Sequence, residues 1–245
     1  MEDSPLIYVG TSGWAYPWNA GGDLAWYVGH SGLNAVELNM SFYRFPSESQ
    51  IGLWCETGPE LSWSVKVHRS VTHFHLADDS GRKVFSRFLD LFRPLDSFVS
   101  YYLFQFPHRF DTTFRDRLTL LFQEFDDRKM ALEFRHPSWS DPDLNSLPFR
   151  GVIVTPDSPD SSGDVFGTNG RVYLRFHGRT AWYSGDYSEE ELSRVIASLP
   201  ALSPRIIHAF FNNDHHMLDN ARMFRNMAEK VWSEQIKAPK KGPFA

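Results

Sequence analysis

Charged residues alternate with apolar residues in several short segments of the chain, and the charged side chains could carry chemistry. In residues 131–135, Glu133 and Arg135 alternate with Leu132 and Phe134. Successive side chains of a β-strand point to opposite sides, so the two charged groups share one face. A carboxylate beside a guanidinium suits acid–base catalysis and the binding of an anion. The sequence therefore predicts that this face lines an enclosed pocket.

The same alternation recurs in three further segments. Each contains a polar pair flanked by apolar residues: Glu37 and Asn39, Lys66 and His68, and Arg175 and His177. Burying such groups without partners costs several kcal/mol each, so they must pair with one another, with water or with a ligand. Two interpretations follow from this pattern. One is a self-satisfied ion-pair network, and the other is a pocket for a polar, anionic ligand.

In the ligand interpretation, Glu37, Glu133 and His177 are the candidate catalytic residues, because carboxylates and imidazoles transfer protons. Arginine suits a phosphate or a carboxylate through forked hydrogen bonds. Aromatic side chains could stack on a sugar or base, or could simply cap the fold. The candidate substrate-binding residues are Asn39, Tyr43, Lys66, His73, Gln105, Arg135, His136, Trp139, Arg175, Arg179, Tyr183, Asn212, Asn213 and Asp214.

A metal site and a nucleophilic serine have weaker support. Five residues could converge on a hard cation if their strand ends meet: Glu37, Glu133, Asp157, His177 and Asp214. The neighbouring arginines and lysine would repel such a cation, and no HExxH spacing is present. Ser12 lies beside a glycine without a Gly-x-Ser-x-Gly elbow. We therefore expect no metal and no other cofactor.

Strand and helix patterns alternate along the 245 residues. Strands are predicted at 6–10, 34–39, 61–68, 101–107, 131–139 with its terminal turn, 151–154, 172–177 and 206–211. Helices are predicted at 23–30, around 51–54, and at 80–91, 113–125, 189–199 and 217–232, with a long loop at 158–170. Eight alternating units favour a single-domain α/β TIM-type (β/α)8-like parallel barrel over residues 1–232, with an open doubly wound sheet as the main alternative. Residues 233–245 are predicted to be a disordered tail.

Composition limits the classes of partner. The net charge of −5 indicates no general attraction to nucleic acid or to an anionic membrane. Cys55 is the single cysteine, so no internal disulfide can form, and we expect a cytoplasmic protein. The acidic start of the chain does not read as a signal peptide, and no run of 18 apolar residues predicts a membrane span.

The motifs also resemble a known family. They occur in this order: Gly10-Thr11-Ser12-Gly13-Trp14, Val36-Glu37-Leu38-Asn39 with Phe42-Tyr43-Arg44, Val65-Lys66 with Thr72-His73, Phe104-Gln105-Phe106-Pro107, Glu133-Phe134-Arg135-His136 with Ser138-Trp139, Arg175-Phe176-His177-Gly178-Arg179 with Tyr183, and Phe211-Asn212-Asn213-Asp214. Together they resemble the YecE-like proteins, the domain-of-unknown-function family numbered 72. The resemblance implies a TIM-barrel-like fold and carries no established activity. The chain departs from the family pattern at Met40-Ser41 and at Asp157.

The sequence favours an enzyme that does acid–base chemistry on a small anionic or polyhydroxylated, sugar-like substrate at the C-terminal strand ends. The alternatives are a nucleic-acid or nucleotide binding module and a metal-dependent hydrolase or nuclease. No membrane partner is expected, and nucleic acid is not the favoured partner. The ligand interpretation also predicts that Arg175→Ala keeps the fold intact and abolishes the binding of phosphate-like anions.

Overall fold

The computed structural model describes residues 4–139, 144, 147–161 and 164–237, and these form a closed barrel of eight parallel strands in chain order. The strands are β1 (Leu6–Thr11), β2 (Ala35–Leu38), β3 (Ser62–Lys66), β4 (Val99–Phe106), β5 (Met130–Phe134), β6 (Val152–Asp157), β7 (Arg171–Phe176) and β8 (Ile206–Phe211). The last strand pairs with the first in parallel, from Leu6 opposite Ile206 to Thr11 opposite Phe211. This closure confirms the predicted TIM-type barrel and rules out the open sheet.

Helices cover the outside of the barrel. They are α1 (Leu24–His30), α2 (Glu48–Thr57), α3 (Asp79–Phe92), α4 (Arg115–Glu124), α5 (Glu189–Ser198) and α6 (Met217–Lys237). Ser47 and Ser188 begin α2 and α5 with capping boxes, as serine at these positions predicts. In the described part of the chain, none of the helices has both the length and the apolar composition needed to cross a membrane.

Most predicted boundaries differ from the structure by a few residues, and two of these differences change an interpretation. Helix α6 continues to Lys237, so the first five residues of the predicted tail are helical, and residues 238–245 lie outside the described residues. Strand β3 ends at Lys66, so His68 does not share the inward face of Lys66. The chain turns there into a short helical segment, and the His68 ring packs against Phe45 at 4.9 Å.

Alternating side chains divide the core into two parts. Outward residues such as Leu132 pack under the helices, while inward residues such as Ala131 fill the barrel. At the N-terminal end of the strands the filling is aromatic: Tyr8 stacks on His208 at 4.7 Å, and Tyr101 meets the same imidazole edge-on at 5.0 Å. This aromatic floor closes one end of the barrel, so any site on the axis must open at the C-terminal end.

Candidate functional site

A guanidinium lies between two carboxylates at the centre of the barrel. Arg175 donates from Nε and Nη2 to the two oxygens of Glu37, at 2.9 and 2.7 Å, and from Nη1 to Glu133 Oε2 at 2.6 Å. All three side chains are fully enclosed, with at most 1% of their surface exposed. Strand alternation brings them together, because all three face the axis. We call Glu37, Glu133 and Arg175 the central triad.

Neutral side chains complete the hydrogen bonding of Glu37. Tyr173 and Ser12 each donate a hydroxyl to this carboxylate at 2.8 Å, and the Ser64 hydroxyl lies 2.6 Å from the Tyr173 oxygen. Burial, with the Glu37 charge, raises the pKa of Tyr173 well above its usual value, so Tyr173 remains a donor. Sequence reasoning missed Tyr173 and Ser64, although each lies two residues before a residue that it singled out on the same strand face.

The central triad pairs three of its four carboxylate oxygens internally, close to the ion-pair interpretation, while Glu133 Oε1 has no hydrogen bond. Burial alone would raise the pKa of Glu133, but the charges of Arg135 and Arg175 outweigh it and hold that pKa well below its usual range. A carboxylate held ionised in this way is a poor proton donor and a weak base. The predicted catalytic role of Glu133 and the predicted ligand contact of Arg175 therefore do not fit the structure, and Glu37 is fully occupied as well.

Above the central triad, the barrel opens into a ring of inward polar side chains. We call this the mouth layer: Asn39, Lys66, Gln105, Arg135, His177 and Asn212. Arg135 Nη2 forms an ion pair with Glu133 Oε1 that lacks hydrogen-bond geometry, and its guanidinium lies 4.4 Å over the Trp182 ring. Arg135 Nε and Asn39 Oδ1 are buried without a hydrogen-bond partner among the described residues. The mouth layer thus has unused donor and acceptor capacity.

His177 is a neutral imidazole in the mouth layer. Burial, together with the charges of Arg175, Arg135 and Lys66, lowers its pKa well below the usual value. Arg135 Nη2 lies 3.4 Å from Nε2, and arginine can only donate, so Nε2 holds the lone pair and Nδ1 holds the proton. Nδ1 lies 3.3 Å from the Asn212 side-chain amide, which must then present its oxygen to that proton. Nε2 is therefore the acceptor nitrogen of the ring, and Arg135 is its donor.

Lys66 contributes an amine to the mouth layer. The side chain is partly buried, and Nζ lies 4.4 Å from the centre of the Phe42 ring. Nζ has no hydrogen bond or ion pair with the residues that the structure describes, and the Ser41 hydroxyl donates to the backbone carbonyl of Lys66 at 2.7 Å. Burial and the Arg175 charge lower the pKa of Lys66 to about 7, against the opposing effect of Glu133 and Glu37.

Three predicted residues and one unpredicted residue form the rim of the mouth. Tyr43 and Tyr183 are exposed, and the Tyr183 ring meets His177 edge-on at 5.6 Å. His73 packs edge-on against Phe42, and burial with the nearby Lys66 charge lowers its pKa to about 4. Trp182, which covers Arg135, was missed because its position depends on the path of the loop that follows β7.

Two more candidate residues, Asp157 and Arg179, contact each other outside the barrel. Asp157 is the last residue of β6 and faces the helix layer, where Arg179 binds it at 2.7 Å and the Tyr187 hydroxyl donates to it at 2.8 Å. Arg179 also lies 3.6 Å from Glu191. These contacts attach the loop after β7 to the end of β6, so Arg179 acts here as a structural residue and does not reach the mouth.

Four more predicted binding residues also lie away from the axis. Trp139 is buried against Phe134 at 4.4 Å, and Asn213 donates to the Gly185 carbonyl at 2.8 Å. His136 lies 2.8 Å from the Ser138 hydroxyl, within its own turn. The fourth, Asp214, is half exposed and adjoins His215. Within the described ranges, no three His, Cys, Asp or Glu residues converge as metal ligands.

A cleft of about 570 Å³ lies beside the mouth, between the loops after β1 and β2 and the helices α1 and α2. Its walls are largely apolar and include Trp14, Leu53 and Trp54. Asn39 and Tyr43 belong both to this cleft and to the mouth. A ligand held in the mouth could therefore extend an apolar part into the cleft.

Comparison with known proteins gives a family and a fold. Residues 8–243 match the family model described as "Protein of unknown function DUF72". A DUF72 protein from Thermotoga maritima is 28% identical, with a TM-score of 0.78 over 91% of this chain and 99% of that chain. A DUF72 protein from Enterococcus faecalis is 19% identical, with the same TM-score over 91% and 96% of the two chains.

More distant matches share the barrel alone. D-psicose 3-epimerase from Clostridium cellulolyticum is 12% identical, with a TM-score of 0.50 over 94% of this chain and 98% of that chain. No match is found among the curated proteins.

Proposed function

The chain belongs to the DUF72 family, and from its own side chains we propose that it is an enzyme that binds a small anionic or polyhydroxylated substrate in the mouth layer and moves a proton there. The observation that carries this proposal is the unused polar capacity of Arg135 Nε and Asn39 Oδ1 at the open end of the barrel. Buried polar atoms without partners are costly, so a ligand that supplies the missing partners binds favourably.

The residues of the mouth layer would have different roles in binding and catalysis. Arg135 and Lys66 would hold an anionic group, and Asn39, Gln105 and Asn212 would bind hydroxyls through their amides. His177 would be the general base once the substrate is bound: its Nε2 lone pair would be released when Arg135 turns to the anionic group, and that negative charge would offset the cationic charges that lower the His177 pKa. Glu37 and Glu133 would hold the cations in position without exchanging protons.

The distant similarity to sugar epimerases is compatible with a polyhydroxylated substrate but supports the fold only. D-psicose 3-epimerase structures contain D-tagatose or D-fructose, and those ligands are properties of those proteins. The argument for this chain depends on its own mouth layer, and the apolar cleft beside Asn39 would admit a substrate with an additional apolar part.

Binding of an anion by Arg135 is the first testable consequence. We expect Arg135→Gln to weaken the binding of inorganic phosphate or a sugar phosphate at least about tenfold, since a charge-assisted hydrogen bond contributes ~1.5–3 kcal/mol. Titration calorimetry measures this affinity, and circular dichroism checks that the variant folds. Arg179→Gln is the matched control, because Arg179 binds Asp157 outside the barrel. Equal phosphate affinity in wild type and folded Arg135→Gln would contradict the proposal.

Proton transfer by His177 is tested in deuterated water with the ligands that bind. An enzyme of this kind would exchange the carbon-bound proton next to a carbonyl of the substrate, and nuclear magnetic resonance detects the loss of that signal. The exchange should disappear in His177→Gln while binding persists. If every bound ligand keeps its protons with the wild-type protein, the catalytic part of the proposal is wrong.

A further inference from the structure

The Lys66 amine is surrounded by carboxylates that are already engaged. Arg175 occupies both oxygens of Glu37 and one oxygen of Glu133, and Arg135 pairs with the remaining oxygen of Glu133. Lys66 therefore lies in the field of two carboxylates without a hydrogen bond or ion pair to either. A lysine whose only purpose was to balance charge would be expected to contact an acid directly.

The surroundings of Lys66 favour the uncharged amine. The Phe42 ring lies 4.4 Å from Nζ and favours the ammonium through a cation–π contact. Burial and the charges of Arg175 and Arg135 outweigh this contact and the opposing charges of Glu133 and Glu37, with the neutral His73 and His177 nearby. With a pKa near 7, about half of the amine is free base at neutral pH, compared with ~1 in 10³ for an ordinary lysine. An uncharged amine at the open end of a barrel is a nucleophile.

We propose that Lys66 forms a Schiff base with the carbonyl carbon of a small aldehyde or ketone that carries a carboxylate or phosphate. The amine nitrogen forms a bond to that carbon and gives one proton to the carbonyl oxygen, which takes a second proton from solvent and leaves as water. The charge is conserved, because the free amine, one proton and the carbonyl group give a protonated iminium and one water, while the anionic group of the substrate keeps its charge. No oxidant or reductant takes part.

The neighbouring groups fit this chemistry. Arg135 is available for the anionic group of the substrate through Nε, and Asn39 has a free acceptor oxygen for a hydroxyl. A protonated iminium withdraws electrons from the adjacent carbon, which makes the proton on that carbon easier for His177 to remove. The inference rests on the proposed function and names its substrate class.

Reductive trapping tests the inference on the full-length protein. The probes are pyruvate and, separately, dihydroxyacetone phosphate, each with sodium cyanoborohydride, which reduces an iminium to a stable secondary amine. Peptide mass spectrometry then locates the modified lysine. We expect the Lys66 peptide to be modified at least about tenfold faster than the peptide of the exposed Lys83 near neutral pH, with a rate that rises with pH to a midpoint of about 7.

Variants of Lys66 distinguish its role as a nucleophile from its role as a positive charge. Lys66→Arg keeps the cation and Lys66→Met keeps the volume, and neither can form an imine, so both should lose the adduct, whereas Lys83→Gln should retain it. Modification of Lys66 no faster than Lys83 by both probes would overturn the Schiff-base inference. Calorimetry with pyruvate distinguishes failure of the Schiff-base inference from failure of the proposed function. If pyruvate binds in a way that depends on Arg135 but forms no adduct, only the Schiff-base inference is wrong. If neither pyruvate nor phosphate binds, the proposed function is wrong as well.

Discussion

At the scale of single residues, the central triad shows why a charged strand face need not be a binding surface. Arg175 makes three hydrogen bonds to carboxylates and has no exposed surface with which to contact a ligand. The prediction that Arg175→Ala would keep the fold and lose anion binding does not suit this environment. Arg175 neutralises two buried charges, so its first role is in folding.

Replacing Arg175 should therefore destabilise the protein. In Arg175→Met, Glu37 and Glu133 remain buried without their cation, and breaking a buried ion pair in this way costs about 3–5 kcal/mol. Unfolding in urea, followed by tryptophan fluorescence, measures the loss. The triple variant Glu37→Gln, Glu133→Gln, Arg175→Met removes all three charges and should recover much of the lost stability. A single variant as stable as wild type would disprove the triad's structural role.

At the scale of elements, the loop after β7 forms one wall of the mouth. Gly178 begins this loop with φ of +92°, and its N–H donates to the Tyr187 hydroxyl at 2.9 Å. The loop then returns so that Tyr183 N donates to the His177 carbonyl at 2.6 Å. This path brings Trp182 over Arg135. The conformation at one glycine thus positions an aromatic wall of the candidate site.

Gly178→Ala should disturb that wall. A Cβ at this position would lie 1.9 Å from the Ser184 carbonyl oxygen, and the positive φ adds strain of ~1–3 kcal/mol. We expect weaker phosphate binding and altered tryptophan fluorescence as Trp182 moves. Gly185→Ala is a matched control in the same loop, with φ of +97° but its nearest neighbour 3.6 Å away. Equal phosphate affinity in the two variants would show that Trp182 does not depend on the close approach at Gly178.

At the scale of the whole molecule, the two ends of the chain stabilise each other. Strand β8 pairs with β1, and α6 reaches back to the turn between α1 and β2. Arg222 donates to the carbonyls of Ser31 and His30, both at 2.7 Å, and Arg225 donates to the Gly32 carbonyl at 2.7 Å. These arginines satisfy carbonyls at the C-terminal end of α1 that lack helical partners. Closure of the barrel thus depends on side chains as well as on strand pairing.

Arg222→Ala should weaken this closure. Hydrogen bonds from a charged donor contribute about 1.5–3 kcal/mol each, so we expect a loss of a few kcal/mol in the free energy of unfolding. Chemical denaturation measures it. Arg194→Ala removes an exposed partner of Glu190 at 3.9 Å and should change stability by less than ~1 kcal/mol. Unfolding of Arg222→Ala and Arg194→Ala at the same denaturant concentration would show that Arg222 does not stabilise the closed barrel.

Strand periodicity made much of the candidate site predictable. Alternation predicts that Glu37, Lys66, Glu133, Arg175 and His177 share inward strand faces, and the eight β/α units predict the closed barrel. The site itself remains a prediction, but its location at the C-terminal strand ends follows from these two facts. Side-chain parity is a local property of a strand, so it can be derived from sequence alone.

The choice of partners could not be derived in this way. Sequence treated Arg135, Arg175 and Arg179 as equivalent anion binders, whereas the structure places one at the mouth, one inside the triad and one outside the barrel on Asp157. Which cation meets which carboxylate depends on distances across the barrel and on the path of loops. Local periodicity determines the direction of each side chain. Only the closed tertiary fold determines that Arg175 pairs with both carboxylates, while Lys66 and Arg135 face the opening.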